Sequence, residues 1–333
     1  TRLSFTQLEC PCPVAPNGIG VLSFAISLDG GHTYTTSTNL KFEYIAPAQI
    51  VSLNPSIGPQ TGGTRITMLG TNFREEDGLD CVFAAKALNA RSGSRHKDSR
   101  VRATVFNSTH LACIVPSVPY PRDAGVPHSG IVSVSLSSKD FVGQRNMGNE
   151  YAYHQDRNIE FLYHDIVVVT SVSPFRGYFE GGTIVSVIGK HFTDSSTLSC
   201  RFGTHGVTQA QFLDSEHLLC STPPSSSISS SVFVQVSNNG LDFSRGGPRF
   251  TFVPKLEILN LIPSVGSVSG GTEIRVIGHG FEFANDLKCK FGTNDVNATR
   301  VMRDVVSCIS PVWSRAETVR VSISSNGNDF EEE

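Results

Sequence analysis

Apolar and polar residues alternate along much of this chain with a period of two. The runs VFVQVSNNGLDF from Val232, VRVSISSNGNDF from Val319 and LSFAISLDGGHTY from Leu22 each predict a half-buried strand. Each run ends on a turn dipeptide: Asn239-Gly240, Asn326-Gly327 or Asp29-Gly30. Such dipeptides accept the positive φ angles of a tight type I′ turn, so an antiparallel partner should follow at once. A closing strand is expected at Phe42-Glu-Tyr44, Tyr151-Ala-Tyr153 and Phe250-Thr-Phe252, with two aromatic rings on one face. Helical periodicity is nearly absent, and short strands punctuated by Gly, Pro and Asn predict an all-β chain of antiparallel sandwiches.

The pattern repeats. PSIGPQTGGTRITMLGTNF from Pro55, PFRGYFEGGTIVSVIGKHF from Pro174 and PSVGSVSGGTEIRVIGHGF from Pro263 align without a gap, and a cysteine follows eight residues after the last Phe of each. Cys113, Cys220 and Cys308 then each open a C-x-x-P, as does Cys10, whose copy has no first half. Four units are expected: residues 1–46 as the C-terminal half of a repeat, 47–160 and 161–253 as complete repeats, and 254–333 as a repeat lacking its last strand. The joints, such as Ala46-Pro47 and Val253-Pro254, are short and contain proline, which favours a stiff, rod-like array.

The shared pattern, P-x-x-G-x-x-x-G-G-T, then G-x-x-F, then C-x-F-G and C-x-x-P, resembles the IPT/TIG family of immunoglobulin-like domains over essentially the whole chain. The first complete unit departs from it at Cys81-Val-Phe-Ala84, where the usual Gly is missing, so that edge should be remodelled. The resemblance implies tandem immunoglobulin-like sandwiches and a class of roles. Members serve as stalks and ligand-contacting parts of plexin-type receptors, as surface-protein repeats, as linking domains of starch-active enzymes and as the dimerising part of Rel-type transcription factors. Fold alone does not choose among these.

Cysteine usage narrows the choice. Cys81 with Cys113, Cys200 with Cys220, and Cys289 with Cys308 recur once per sandwich and read as disulfides, with buried thiols as the alternative. Zinc sites use paired C-x2-C spacing with His, which these wide pairs lack. Bridges imply an oxidising compartment, hence an extracellular or cell-surface location. Cys10 matches the second bridge cysteine of its unit and Cys12 has no counterpart, so both are expected to bond outside the chain, to upstream sequence or to a neighbouring molecule. The chain opens on Thr1 with no initiator Met and no leader, and so reads as a piece of a longer protein. Two sequons, Asn107-Ser-Thr109 and Asn297-Ala-Thr299, fit N-linked glycans on a secreted chain.

Composition excludes several classes. With 39% hydrophobic and 17% charged residues the chain can bury a core, so disorder is not its main state. No apolar run approaches a membrane span; Ile166 to Val169 is strand-sized. A net charge of −3 gives no field for a polyanion, which disfavours nucleic acid and a Rel-like role. Catalytic motifs are missing: Gly189-Lys190 imitates a phosphate loop but leaves a strand rather than entering a helix. His154, His164 and the Glu75-Glu76-Asp77 cluster read as surface features, and Phe73, Phe192 and Phe281 as core plugs. No cofactor or metal is implied.

One segment breaks the repeat. Between Lys86 and Arg102 the first complete unit inserts a basic loop carrying Lys86, Arg91, Arg95, Lys97, Arg100 and Arg102, and a Pro-rich insertion follows from Pro116. The basic loop is a candidate contact for an acidic partner, an anionic glycan or a protease, against the plainer reading of a solvated excursion. The expected role is therefore a non-enzymatic structural or adhesive segment of a large secreted or surface protein. Its partners would be other proteins or copies of itself, as in a cell-coat or flagellar-hair type filament. A plexin-like ligand-binding ectodomain is the alternative, and an accessory region of a carbohydrate-active enzyme a further one.

Overall fold

The computed structural model describes residues 10, 20–85, 98–118, 130–138, 159–226, 230–284 and 286–331, the side chains of 37–40 and 85 excepted. Within these the secondary structure is β-strand apart from two single-turn 3₁₀ helices, Glu75–Asp77 and Phe281–Phe283. The chain divides into two compact units, Thr1–His164 and Asp165–Glu333.

In the first unit, strands Gly20–Ile26 and Thr35–Tyr44 form an antiparallel hairpin, with Gly20 opposite Tyr44 and Leu22 opposite Phe42. A sandwich follows. One layer orders Gln49–Asn54, Arg65–Thr71, His110–Ile114 and Thr104–Asn107. The other orders Ile57–Pro59, Glu160–His164, Gly130–Ser138, Leu79–Ala85 and Ser99–Arg102. Strict alternation sends Ile66 and Met68 into the core with both fully buried, while Arg65 and Thr67 face out. Phe83, Leu111, Leu136, Phe161 and Tyr163 complete the core between the layers.

The closing strand of this sandwich differs from expectation. Tyr151-Ala-Tyr153 lies outside the described residues, and Phe161-Leu-Tyr163 takes the closing position, antiparallel to Gly130–Ser133 and parallel to Ile57–Pro59. Both segments carry two aromatics at alternate positions, so the pattern alone did not separate them. The division expected at 160/161 consequently falls inside a strand, and His164, expected at the surface, is buried at its end with 7% exposure.

The second unit holds two sandwiches. In the first of them, strand Gly206–Phe212 pairs with Ser199–Phe202 in one layer and His217–Ser221 in the other, and so crosses between layers. Arg249–Val253 closes the sandwich, antiparallel to Ser231–Ser237 and parallel to Arg176–Tyr178. Phe202, Phe250 and Phe252 stack edge-to-face, with ring centroids 5.1–6.4 Å apart, at the centre of its core. The last sandwich repeats the order through Val321–Ser324 and a two-residue strand, Phe330–Glu331.

The Asn-Gly segments differ from expectation in one respect. Gly240 and Gly327 do have positive φ, at 74° and 77°, but Asn239 and Asn326 do not, which excludes type I′ turns. The asparagine carboxamides instead accept backbone N–H groups two and three residues on, from Leu241 and Asp242 and from Asn328 and Asp329. They open longer connections, such as the one from Ser237 to Arg249.

Candidate functional site

The repeated motif residues meet one another. In each of the three sandwiches the second Gly of Gly-Gly-Thr donates its N–H to the carbonyl just before the proline of C-x-x-P: Gly63 to Val115, Gly182 to Thr222 and Gly271 to Ser310, at 2.8–2.9 Å. The first Gly lies against the proline itself, where a Cβ on Gly181 would sit 2.8 Å from the Pro223 carbonyl carbon. Both have positive φ, Gly181 at 85° and Gly182 at 87°, as a glycine pair allows. In G-x-x-F the ring folds back over the glycine: a Cβ on Gly70, Gly189 or Gly278 would fall within 2.2–2.8 Å of Cζ of Phe73, Phe192 or Phe281. These three phenylalanines are buried at 0–3% exposure.

The bridges lie beside these contacts. Cys81 is joined to Cys113, Cys200 to Cys220 and Cys289 to Cys308, with Cα atoms 6.5, 6.3 and 6.3 Å apart. Each bond ties one layer to the other, and all six sulfurs belong to buried residues. The Gly absent after Phe83 is also explained. Gly203 and Gly292 turn the chain with φ of 53° and 56°, whereas Ala84 stays in strand Leu79–Ala85.

The basic insertion follows this strand in sequence. Lys86, Arg91, Arg95 and Lys97 lie outside the described residues. Arg100 and Arg102 belong not to a loop but to strand Ser99–Arg102, opposite Val82 and Asp80. Arg102 reaches the buried Asp80 carboxylate at 3.5 Å, so at least this cation has a partner within its own sandwich.

Of the other residues singled out above, Cys10 is exposed and unbonded, while Cys12 and His154 lie outside the described residues. Glu75 and Glu76 are exposed, but Asp77 is buried; Glu76 accepts from Arg74 at 2.8 Å, which also lies 3.6 Å from Glu43 of the hairpin. Asn107 is exposed at a turn, where its Oδ1 accepts from the Thr109 hydroxyl and the His110 N–H, both at 2.9 Å. Asp214 makes the same turn in the next sandwich, its carboxyl held below the usual range by the N–H of Glu216 and then by His217. Asn297 and Thr299 stand two apart on the exposed side of strand Asn294–Met302.

A joint within the second unit was not anticipated. Thr183, of the Gly-Gly-Thr of one sandwich, donates to Asp329 Oδ2 of the next at 2.5 Å, and Tyr178 Oη donates to the Asp329 carbonyl at 3.2 Å. Asn326 Nδ2 donates to the Arg176 carbonyl at 3.0 Å, and Arg176 donates to the Phe283 carbonyl at 2.5 Å. No sequence signal marks partners 146 residues apart. Among the described residues no group of three or more His, Cys, Asp or Glu side chains is arranged to hold a metal, and no helix is long and apolar enough to cross a membrane.

The IPT/TIG domain family matches residues 48–153, 168–252 and 256–332. Human Fibrocystin-L is 29% identical over 160 residues, 48% of this chain and 4% of that protein. Human Plexin-A2 is 29% identical over 115 residues, 34% of this chain and 5% of that protein. The chain thus spans a small fraction of the length of these relatives. The extracellular region of Plexin A4 aligns with 85% of this chain and 23% of its own, at 17% identity and a TM-score of 0.41. With three matches that together cover most of its length, each on a disulfide-bridged sandwich, the chain belongs to the IPT/TIG domain family.

Proposed function

We propose that this chain is a non-enzymatic segment of a secreted or cell-surface protein, in which tandem stapled sandwiches form a stiff rod for spacing, adhesion or filament assembly. The observation that carries this reading is the use to which the motif residues are put. Gly-Gly-Thr, G-x-x-F, C-x-x-P and the cysteine pairs all serve packing and cross-linking, and Thr183 and Asp329 tie one sandwich to the next. The three bridges support an oxidising compartment. N-linked glycans are assigned to the exposed Asn107 and Asn297, bonding outside the chain to Cys10 and Cys12, and partner contact to the basic segment from Lys86.

A second reading, the ligand-binding ectodomain of a plexin-like receptor, is favoured by the identity shared with Plexin-A2. Protein from its native source separates the possibilities. On the first reading it is labelled by a non-permeant reagent on intact cells or recovered from the medium, and appears as elongated particles or fibres. A protein confined to a reducing compartment, with all its cysteines free, overturns both readings. Saturable capture of a soluble ligand by isolated, non-assembling particles favours the second.

A further inference from the structure

One outer face in the second unit carries cations without counter-charges. Strand Ser199–Phe202 buries Cys200 and Phe202 in the core, so Arg201 points to the outer face, opposite Gln235. On the other side of strand Ser231–Ser237, Arg249 lies opposite Phe233, and both are exposed. Arg245 is exposed in the connection that leads from this strand to Arg249.

Both strand arginines are held in place. Arg201 Cζ lies 4.2 Å from the Phe243 ring centroid, and its Nε and Nη2 donate to Gln235 Oε1 at 3.1 and 2.8 Å. Gln235 Nε2 in turn donates to the Ser244 carbonyl at 2.6 Å. Arg249 Cζ lies 4.6 Å from the Phe233 centroid, and its Nη1 donates to the Ser231 carbonyl at 3.2 Å. Among the described residues no carboxylate pairs with Arg201, Arg245 or Arg249, whereas Arg102, Arg303 and Arg315 each meet one within 3.5 Å. Forked N–H donors are thus left over on planes that stacking has already fixed.

We propose that this face binds a linear acidic polysaccharide, whose sulfate or carboxylate groups accept hydrogen bonds from Arg201 and Arg249 while Arg245 adds charge. Two strand spacings and two residues separate the Arg201 and Arg249 Cα atoms, about 12 Å. With each guanidinium held on its own ring, the face presents two separate oxyanion sites, as successive acidic groups of an extended polymer require. Strand Ser231–Ser237 is flanked by Ser199–Phe202 on one side and Arg249–Val253 on the other, so it offers no free edge to an added peptide strand, and recognition falls to side chains. A polymer that carries its charge along its whole length suits that arrangement better than an acidic peptide. This ligand goes beyond the structural role proposed above, and its binding is measured in vitro whatever the protein's location.

The test reads this face alone. A heparin octasaccharide titrated into the whole chain should protect Arg201 and Arg249 from phenylglyoxal saturably, as mapped by mass spectrometry, and the protection should weaken as salt rises. In Arg201→Gln the concentration needed to protect Arg249 should rise about tenfold, the loss of one charge-assisted contact. Lys190→Gln removes the same charge from the other layer of the same sandwich and should leave that concentration within about twofold, since a distant exposed charge is screened. No protection of the two arginines overturns the proposal, as do equal shifts in the two variants. Protection by a glutamate octapeptide at a lower concentration than by the octasaccharide overturns it too, in favour of an acidic protein segment.

Discussion

Thr183 donates its hydroxyl to the Asp329 carboxylate across the joint between the two sandwiches of the second unit. Asp329 is held from its own side by Asn326 Nδ2 at 2.9 Å and by its own N–H, bonded to Asn326 Oδ1. The acceptor is thus positioned before it meets Thr183, which is 1% exposed. Asp329→Ala removes the acceptor and strands a buried hydroxyl, at a cost of about 1–3 kcal/mol. The expected outcome is a lower unfolding midpoint and faster proteolysis near Val253-Pro254. Unchanged values for both would show that the joint does not depend on this bond.

The two glycines of one Gly-Gly-Thr make a graded prediction. Gly182→Ala meets open space but keeps a φ of 87°, which costs about 1–2 kcal/mol for a residue with a Cβ. Gly181→Ala carries the same strain and also drives its Cβ into the backbone at Pro223-Pro224, so its loss should exceed that of Gly182→Ala by about 1 kcal/mol or more. Denaturant unfolding of the two variants checks the order. The reverse order would contradict the packing of Gly-Gly-Thr against C-x-x-P.

How much of this was legible in the sequence depends on whether a signal is local. The stapled sandwiches were readable because Gly181, Phe192 and Cys200 recur at fixed offsets in three copies, with the bridge partner Cys220 opening a C-x-x-P each time, and each is fixed by a steric or covalent demand. Phe161-Leu-Tyr163 was missed because alternation shows a strand's faces but not its neighbours, and Tyr151-Ala-Tyr153 shows the same alternation. The basic insertion was drawn too long, since charge marks Arg100 and Arg102 as a continuation although both lie in a paired strand. The Thr183–Asp329 joint has no local signature, because it forms only when distant segments meet.

The end of the insertion can be tested by deletion. Removing residues 87–97 should leave folding intact, because strands Leu79–Ala85 and Ser99–Arg102 remain and a hairpin tolerates changes in loop length. Extending the deletion through Val101 removes a strand that packs on the core and should destabilise the sandwich. Circular dichroism and thermal unfolding distinguish the two; equal stability would place Ser99–Arg102 in the loop after all.

Glu317 accepts hydrogen bonds from the Trp313 indole and from Arg315, which hold its carboxyl below the usual glutamate range. A depressed carboxyl gives an interaction present above its unfolded value and lost as pH falls through the lower, folded value. Trp313 emission should therefore hold steady down to the ordinary glutamate value of 4.5 and change only below it. A midpoint at or above 4.5 would contradict this contact.

The central claim is that a chain of stapled sandwiches is built for an oxidising environment outside the cytoplasm. In the chain-entropy account each bridge stabilises its small domain by about 3 kcal/mol. Peptide mapping of native protein under non-reducing conditions is the most direct test. The account predicts that Cys81 is recovered linked to Cys113, Cys200 to Cys220 and Cys289 to Cys308; recovery of these six residues as free thiols would contradict it.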